Sequence, residues 1–230
     1  MKAIVTGASR GLGLEIAKGL EDEGFQVISP SRDILWVLNQ EADVLVNNAA
    51  VYGPIGPFAT NDWEAWRHTF DVNFLLTAKL CQMVLLGMIR RGYGKIINIS
   101  GGGACAGRPN FSAYSAAKTA LVRFTETLAE EVRPFHIDVN TVAPGAHFSD
   151  LTKAVLEAGP EITGADEYRN AEKTRDENPG IRDAVLLCAF LASHRSDGIT
   201  GRLISAMWDP WEVLTEAVSD TDQYTLRRTT

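Results

Sequence analysis

The sequence predicts a doubly wound α/β fold, with one parallel sheet in a single domain. Short apolar runs without alternation, at residues 2–5, 43–46 and 95–99, read as strands buried on both faces. They take turns with longer segments of helical period, which makes right-handed βαβ units. No repeat, low-complexity tract or linker divides the 230 residues, a length that suits one large α/β domain.

The elements follow in order. Residues 2–5 form the first strand. TGASRGLG at 6–13 leads into a helix over 14–23, which Gly24 stops. Residues 25–29 make a second strand, broken by Pro30, and DVLV at 43–46 makes a third, followed by NNAA at 47–50. A helical stretch covers 63–91, punctuated at Asp71-Val72-Asn73. After the strand KIINI at 95–99 comes a Gly-rich loop over 100–109. Ala117, Leu121, Phe124 and Leu128 recur at helical spacing and predict a helix over 113–132. Residues 137–142 are a strand closed by Pro144-Gly145. The polar, weakly helical stretch over about 147–179 is expected to be a substrate lid, a usual place for specificity. A helix over 181–192 should turn Leu186, Leu187, Phe190 and Leu191 to the core, and 203–207 is the last strand. The domain is therefore placed at 1–207, with a C-terminal tail over 208–230. In that tail Trp208 and Trp211 are expected to form an interface or to cap the site.

Composition narrows the function. A chain that is 45% hydrophobic and 22% charged can bury a full core without metals or disulfides, and no metal site is expected. The net charge of −7 and the lack of a basic stripe argue against nucleic acid as a partner. No run approaches the roughly 20 apolar residues of a membrane span, and MKAIVTGAS does not read as a signal peptide. The three cysteines form no CxxC, and Cys81 and Cys188 lie in apolar helical stretches. Buried thiols suggest a reducing compartment, so a cytoplasmic location is expected.

Two patterns carry chemistry. Gly7, Gly11 and Gly13 follow a strand and open a helix, with Ser9, Arg10 and Leu12 in the same turn. A tight turn of this kind lets a phosphate approach the backbone, and the helix N-terminus offers it free N–H groups. Tyr114 and Lys118 are four apart on one helix and share a face. An ammonium beside a phenol favours the phenolate, so Lys118 is expected to lower the Tyr114 pKa and let it exchange a proton with a substrate oxygen.

TGASRGLG, NNAA, Asn73, YSAAK at 114–118 and Pro144-Gly145 occur in the order that resembles the short-chain dehydrogenase/reductase family, over roughly residues 1–206. The resemblance implies a Rossmann-type fold and hydride transfer between a nicotinamide dinucleotide and a small carbonyl or alcohol. It implies that Tyr114 is the acid/base and that Lys118 holds the ribose. It implies that Asn73 kinks its helix and orders a relay water. Asn48, Ala49 and Ala50 would line the cofactor cleft beside Pro144 and Gly145, with Ala50 where the family usually has Gly. Ser149 would meet the nicotinamide amide. His147 and Phe148 should face the substrate. Assembly as a homodimer or homotetramer through the helices of Asn73 and Tyr114 is also implied.

NADP(H) is the expected cofactor, with NAD possible. Arg32 after the second strand suits a 2′-phosphate, and the resemblance gives Arg10 the same task. Asp33 either repels that phosphate or corresponds to the family's adenine-binding Asp. The stretch between Gly7 and Asn47 is short by nearly one βα unit of ~30 residues. Either two strand ends merge at Arg32-Asp33-Ile34 or one strand is absent.

The pattern breaks at one place. The family's catalytic serine lies thirteen residues before the tyrosine, where this chain has Gly101, with Ser100 one residue earlier. In a strand a one-residue offset sends the side chain to the opposite face. Either the loop Gly101-Gly102-Gly103 re-aims Ser100 or the serine function is missing. Carbonyl reduction is therefore weighed against a dihydropteridine reductase-like activity without that serine, and against a non-catalytic dinucleotide-binding regulator.

Overall fold

A computed structural model describes residues 1–29, 41–177, 179 and 181–228. Among them six strands form one parallel sheet in the order β2-β1-β3-β4-β5-β6. The strands are β1 (Lys2–Val5), β2 (Gln26–Ile28), β3 (Val44–Asn47), β4 (Gly94–Ile99), β5 (Ile137–Ala143) and β6 (Leu203–Ser205). The chain starts in the middle, runs out to the β2 edge and returns to the other side of β1. The order thus reverses between β1 and β3, where open α/β sheets leave a crevice at the strand ends. Arg32, Asp33 and the choice between merged and absent strands lie outside the described residues.

Alternate residues of each strand feed opposite faces, as the pleat requires. Ala3, Val5, Val44 and Val46 pack with Leu12, Ile16 and Leu20 of α1 (Gly11–Asp22) and with Leu187, Cys188 and Leu191 of α8 (Arg182–Ala192). Ile4, Leu45, Ile96 and Val139 pack on the other face. There they meet Leu80, Val84 and Met88 of α3 (Leu76–Arg91) and Leu128 and Val132 of α4 (Ser112–Val132). This is why the strands read as unbroken apolar runs. Leu186 departs from expectation. It is exposed, because the face of α8 that meets the sheet is set by Leu187 and Leu191.

The 63–91 stretch is helical throughout but not regular. A π turn over Asp71–Leu75 separates α2 (Trp63–Phe70) from α3. This stretch is long and apolar enough by composition to cross a membrane, which the sequence reading did not anticipate. In this fold one side of it is packed on the sheet. The lid consists of α5 (Asp150–Ala158), α6 (Pro160–Thr163) and α7 (Ala165–Glu177).

The residues after β6 are tied down. Trp211 is buried against Phe190 and donates from Nε1 to the Ala206 carbonyl at 3.2 Å. The buried Arg202 guanidinium donates to the carbonyls of Thr200, Ser219, Thr221 and Gln223. Glu126 of α4 accepts the Leu226 N–H at 2.7 Å and pairs with Arg227.

Candidate active site

All four loops named by the motifs leave the carboxyl ends of adjacent strands. The glycine turn follows β1, NNAA begins at the end of β3, the Gly-rich loop follows β4, and Pro144-Gly145 follows β5. They meet around a cavity of about 420 Å³. Leu12, Asn48, Ala50, Gly101, Tyr114, Lys118, Pro144, Gly145, His147 and Ser149 line it.

The glycine turn is locked to NNAA through Thr6. Its Oγ1 accepts the N–H groups of Asn48 and Ala49 at 3.0 and 3.1 Å, and Asn48 Nδ2 donates to the Thr6 carbonyl at 3.1 Å. Gly7 has φ +66, a left-handed conformation that costs glycine little. A Cβ on Gly13 would overlap Asn48 Nδ2 and the Gly7 carbonyl, so α1 packs against the turn only with glycine there. No side chain caps the first turn of α1, and its N–H groups stay available to a pyrophosphate. A second chain of bonds runs below the site. Asn47 Nδ2 donates to Asn98 Oδ1 at 2.9 Å, and Asn98 Nδ2 donates to Thr125 Oγ1 at 2.8 Å, which fixes α4 to β3 and β4. Asn98 and Thr125 were not singled out from the sequence; a polar residue within the buried apolar strand β4 was the available signal for the first.

Tyr114 and Lys118 are both buried, with Lys118 Nζ 5.7 Å from the Tyr114 ring centroid. Lys118 donates to the Ile99 carbonyl at 2.7 Å, and burial lowers its pKa to about 8. Tyr114 does not behave as the sequence suggested. Burial pushes its pKa well above the phenol range, the neighbouring Tyr52 raises it further, and Arg108 pulls it down. Lys118 is not among the groups that move it, so the expected lowering by the ammonium is absent here. Desolvation disfavours the phenolate and outweighs the attraction of nearby cations. Tyr114 therefore keeps its proton.

Asn73 sits in the π turn and is buried. Its Oδ1 accepts from Val51 N at 2.8 Å, and its Nδ2 donates to the Val51 carbonyl at 2.7 Å. The side chain pins the loop after NNAA and keeps one N–H and one lone pair unused. Ser100 is buried, and its hydroxyl is enclosed without a partner among the described residues. Ser100 does line the cavity, but its hydroxyl is not exposed to it. A Cβ on Gly101 would fall on the Tyr114 hydroxyl, which occupies the room a serine would need.

Other expected contacts are redirected. Arg10 reaches across the cleft to Asp150 at 2.8 Å, an exposed pair and hence a weak one. Ser149 caps α5, its Oγ 3.4 Å from Thr152 N. His147 is half-buried beside the Gly145 carbonyl, and burial lowers its pKa. Phe148 is partly exposed. Trp208 is 81% exposed at the cavity mouth, so the two tryptophans have separate fates, one in the core and one at the site.

The sequence reading missed a further set. The Tyr52 ring stacks on Tyr114 at 4.7 Å between centroids, and its hydroxyl accepts from Arg108 Nη2 at 2.5 Å. Arg108 also grips Glu167 of α7 through Nε and Nη2.

An uncapped α1 N-terminus behind a glycine turn, next to a buried tyrosine–lysine pair, defines a dinucleotide-binding α/β enzyme. The family model described as short chain dehydrogenase matches residues 36–159. Carbonyl reductase [NADPH] 2 of Sus scrofa is 29% identical, over 89% of this chain and 93% of its own. L-xylulose reductase of Bos taurus is 32% identical, over 88% and 93%. An actinorhodin polyketide ketoreductase solved with NADPH shares the fold at TM-score 0.77 and 24% identity, over 96% and 97%. The chain belongs to the short chain dehydrogenase family, and it is an NAD(P)-dependent dehydrogenase or reductase.

Proposed function

We propose that this enzyme reduces a small carbonyl compound to the alcohol with NADPH. The observation that carries the reading is Tyr114 in the cavity wall with Lys118 on the same helix face, a group placed to give its proton to a carbonyl oxygen. When bound, the dinucleotide supplies the hydride. Gly7, Gly11, Gly13, Asn48, Ala49 and Ala50 would hold it, and Lys118 would hold its ribose. Lys118 would also return a proton to Tyr114, with Asn73 ordering the relay water. NADPH is favoured by Arg10 in the glycine turn and by the cofactor in the name of the carbonyl reductase relative. The aromatic and aliphatic residues exposed on the 63–91 stretch, Trp63, Leu75 and Leu86, fit a homodimer or homotetramer.

The test is turnover of NADPH and NADH with L-xylulose, a 3-oxoacyl thioester, an aromatic ketone, a quinone and a quinonoid dihydropterin. Oxidation of NADPH with a carbonyl member, faster than of NADH, is expected. Oxidation of neither cofactor with any member sinks the reading. Preference for the dihydropterin would redirect it.

The pH dependence follows from Lys118. Below about 8 it is charged, and above it is neutral. Reduction should therefore hold through neutral pH and fall as pH rises through about 8. A rate that stays level up to about pH 10, where a free lysine titrates, would remove Lys118 from the proton path.

A further inference from the structure

Reduction of a carbonyl puts negative charge on its oxygen, and in this site the usual second donor to that oxygen is missing. The Ser100 hydroxyl is enclosed, and a Cβ at position 101 would meet the Tyr114 hydroxyl. Arg108 stands beside the gap. Its Nη1 lies 3.3 Å from where a Gly102 Cβ would be, on the residue next to Gly101, and both glycines line the cavity with Tyr114. A Cβ at 102 would press on the guanidinium, which would have to give by a few tenths of an ångström.

The rest of Arg108 is held. Its guanidinium lies 4.2 Å over the Phe111 ring, Nε and Nη2 grip Glu167, and Nη2 also reaches Tyr52, which is stacked on Tyr114. Nη1 has no hydrogen-bond partner among the described residues, yet it is not an enclosed atom, and Arg108 lines the cavity. A donor fixed before the reaction and aimed where charge develops needs no reorganisation to act.

We propose that Arg108 takes the place of the missing serine. Nη1 donates a hydrogen bond to the reacting oxygen, and α7 of the lid sets it there through Glu167. This rests on the reductase reading above. As the carbonyl carbon accepts the hydride, the π pair collects on the oxygen and takes the Tyr114 proton. Arg108 gives up no proton. Glu167 is a positioning residue: it fixes the fork of the guanidinium and closes the lid over it.

The experiment compares Arg108→Met, Arg108→Lys and Glu167→Gln, using the panel member that the parent enzyme reduces fastest with NADPH. Arg108→Met should lower kcat by about 100-fold, the effect of losing one such donor. NADPH affinity, measured by fluorescence titration, should not change, which also shows that the variant folds. Arg108→Lys should recover part of the rate, since it restores the charge without the fork. Glu167→Gln should cost less than Arg108→Met, and the double variant should be no slower than Arg108→Met alone.

A mere lid clasp predicts something else: equal effects of Arg108→Met and Glu167→Gln, both on the KM for the carbonyl, with kcat kept. That pattern, or an unchanged Arg108→Met enzyme, overturns the proposal and leaves the reductase reading standing. A parent that reduces no member of the panel removes both.

Discussion

Replacing Tyr114 by Phe is expected to lower kcat for carbonyl reduction by about 10²–10⁴-fold, the range that a positioned proton donor supplies. Stability should hardly change. The Tyr114 hydroxyl makes no hydrogen bond to any described residue, so no bond is lost, and a phenyl ring can keep the stack on Tyr52. NADPH should still bind, because Lys118 is anchored by the Ile99 carbonyl and not by the tyrosine. Stopped-flow turnover beside a fluorescence titration separates these effects. A Phe variant that reduces its substrate at the parent rate would remove Tyr114 from the chemistry.

Restoring the family's serine is expected to do harm. In Gly101→Ser the new Cβ would fall on the Tyr114 hydroxyl, so either the ring or the loop must move. Overpacking of this kind costs about 1–3 kcal/mol. A displacement near 1 Å at the reacting group can cost ~10²-fold in rate. Thermal unfolding and kcat should therefore both fall. The same serine placed in a Tyr114→Phe background should cost less stability, since the atom it meets is gone. A Gly101→Ser enzyme faster than its parent would mean that the site accepts the serine, and that Arg108 has no vacancy to fill.

Much of this was legible in the sequence because it is local. The glycine turn, NNAA and the i, i+4 spacing of Tyr114 and Lys118 each state their geometry within a few residues. The unbroken apolar strands announce a sheet covered on both faces. What stayed hidden depends on distance along the chain or on burial. Arg108 and Glu167 are far apart in sequence, and no periodicity joins a loop arginine to a lid glutamate. The direction of the Tyr114 pKa shift was misjudged because spacing reveals a neighbouring ammonium but not the loss of solvent that outweighs it. Asn73 was recognised as a helix breaker, but the bonds of its amide to Val51 needed the fold. Ser100 was judged by strand parity alone, which said nothing of the enclosure of its hydroxyl at the cavity.

The segment beyond β6 is fastened near its far end: Thr221 and Gln223 to Arg202, and Leu226 to Glu126, on the same helix that carries Tyr114 and Lys118. Tail and reactive helix thus form one mechanical unit. Strain introduced near Leu226 would reach the proton donor through a single rigid rod, so a distant change at the end of the chain can be felt as a change in catalysis.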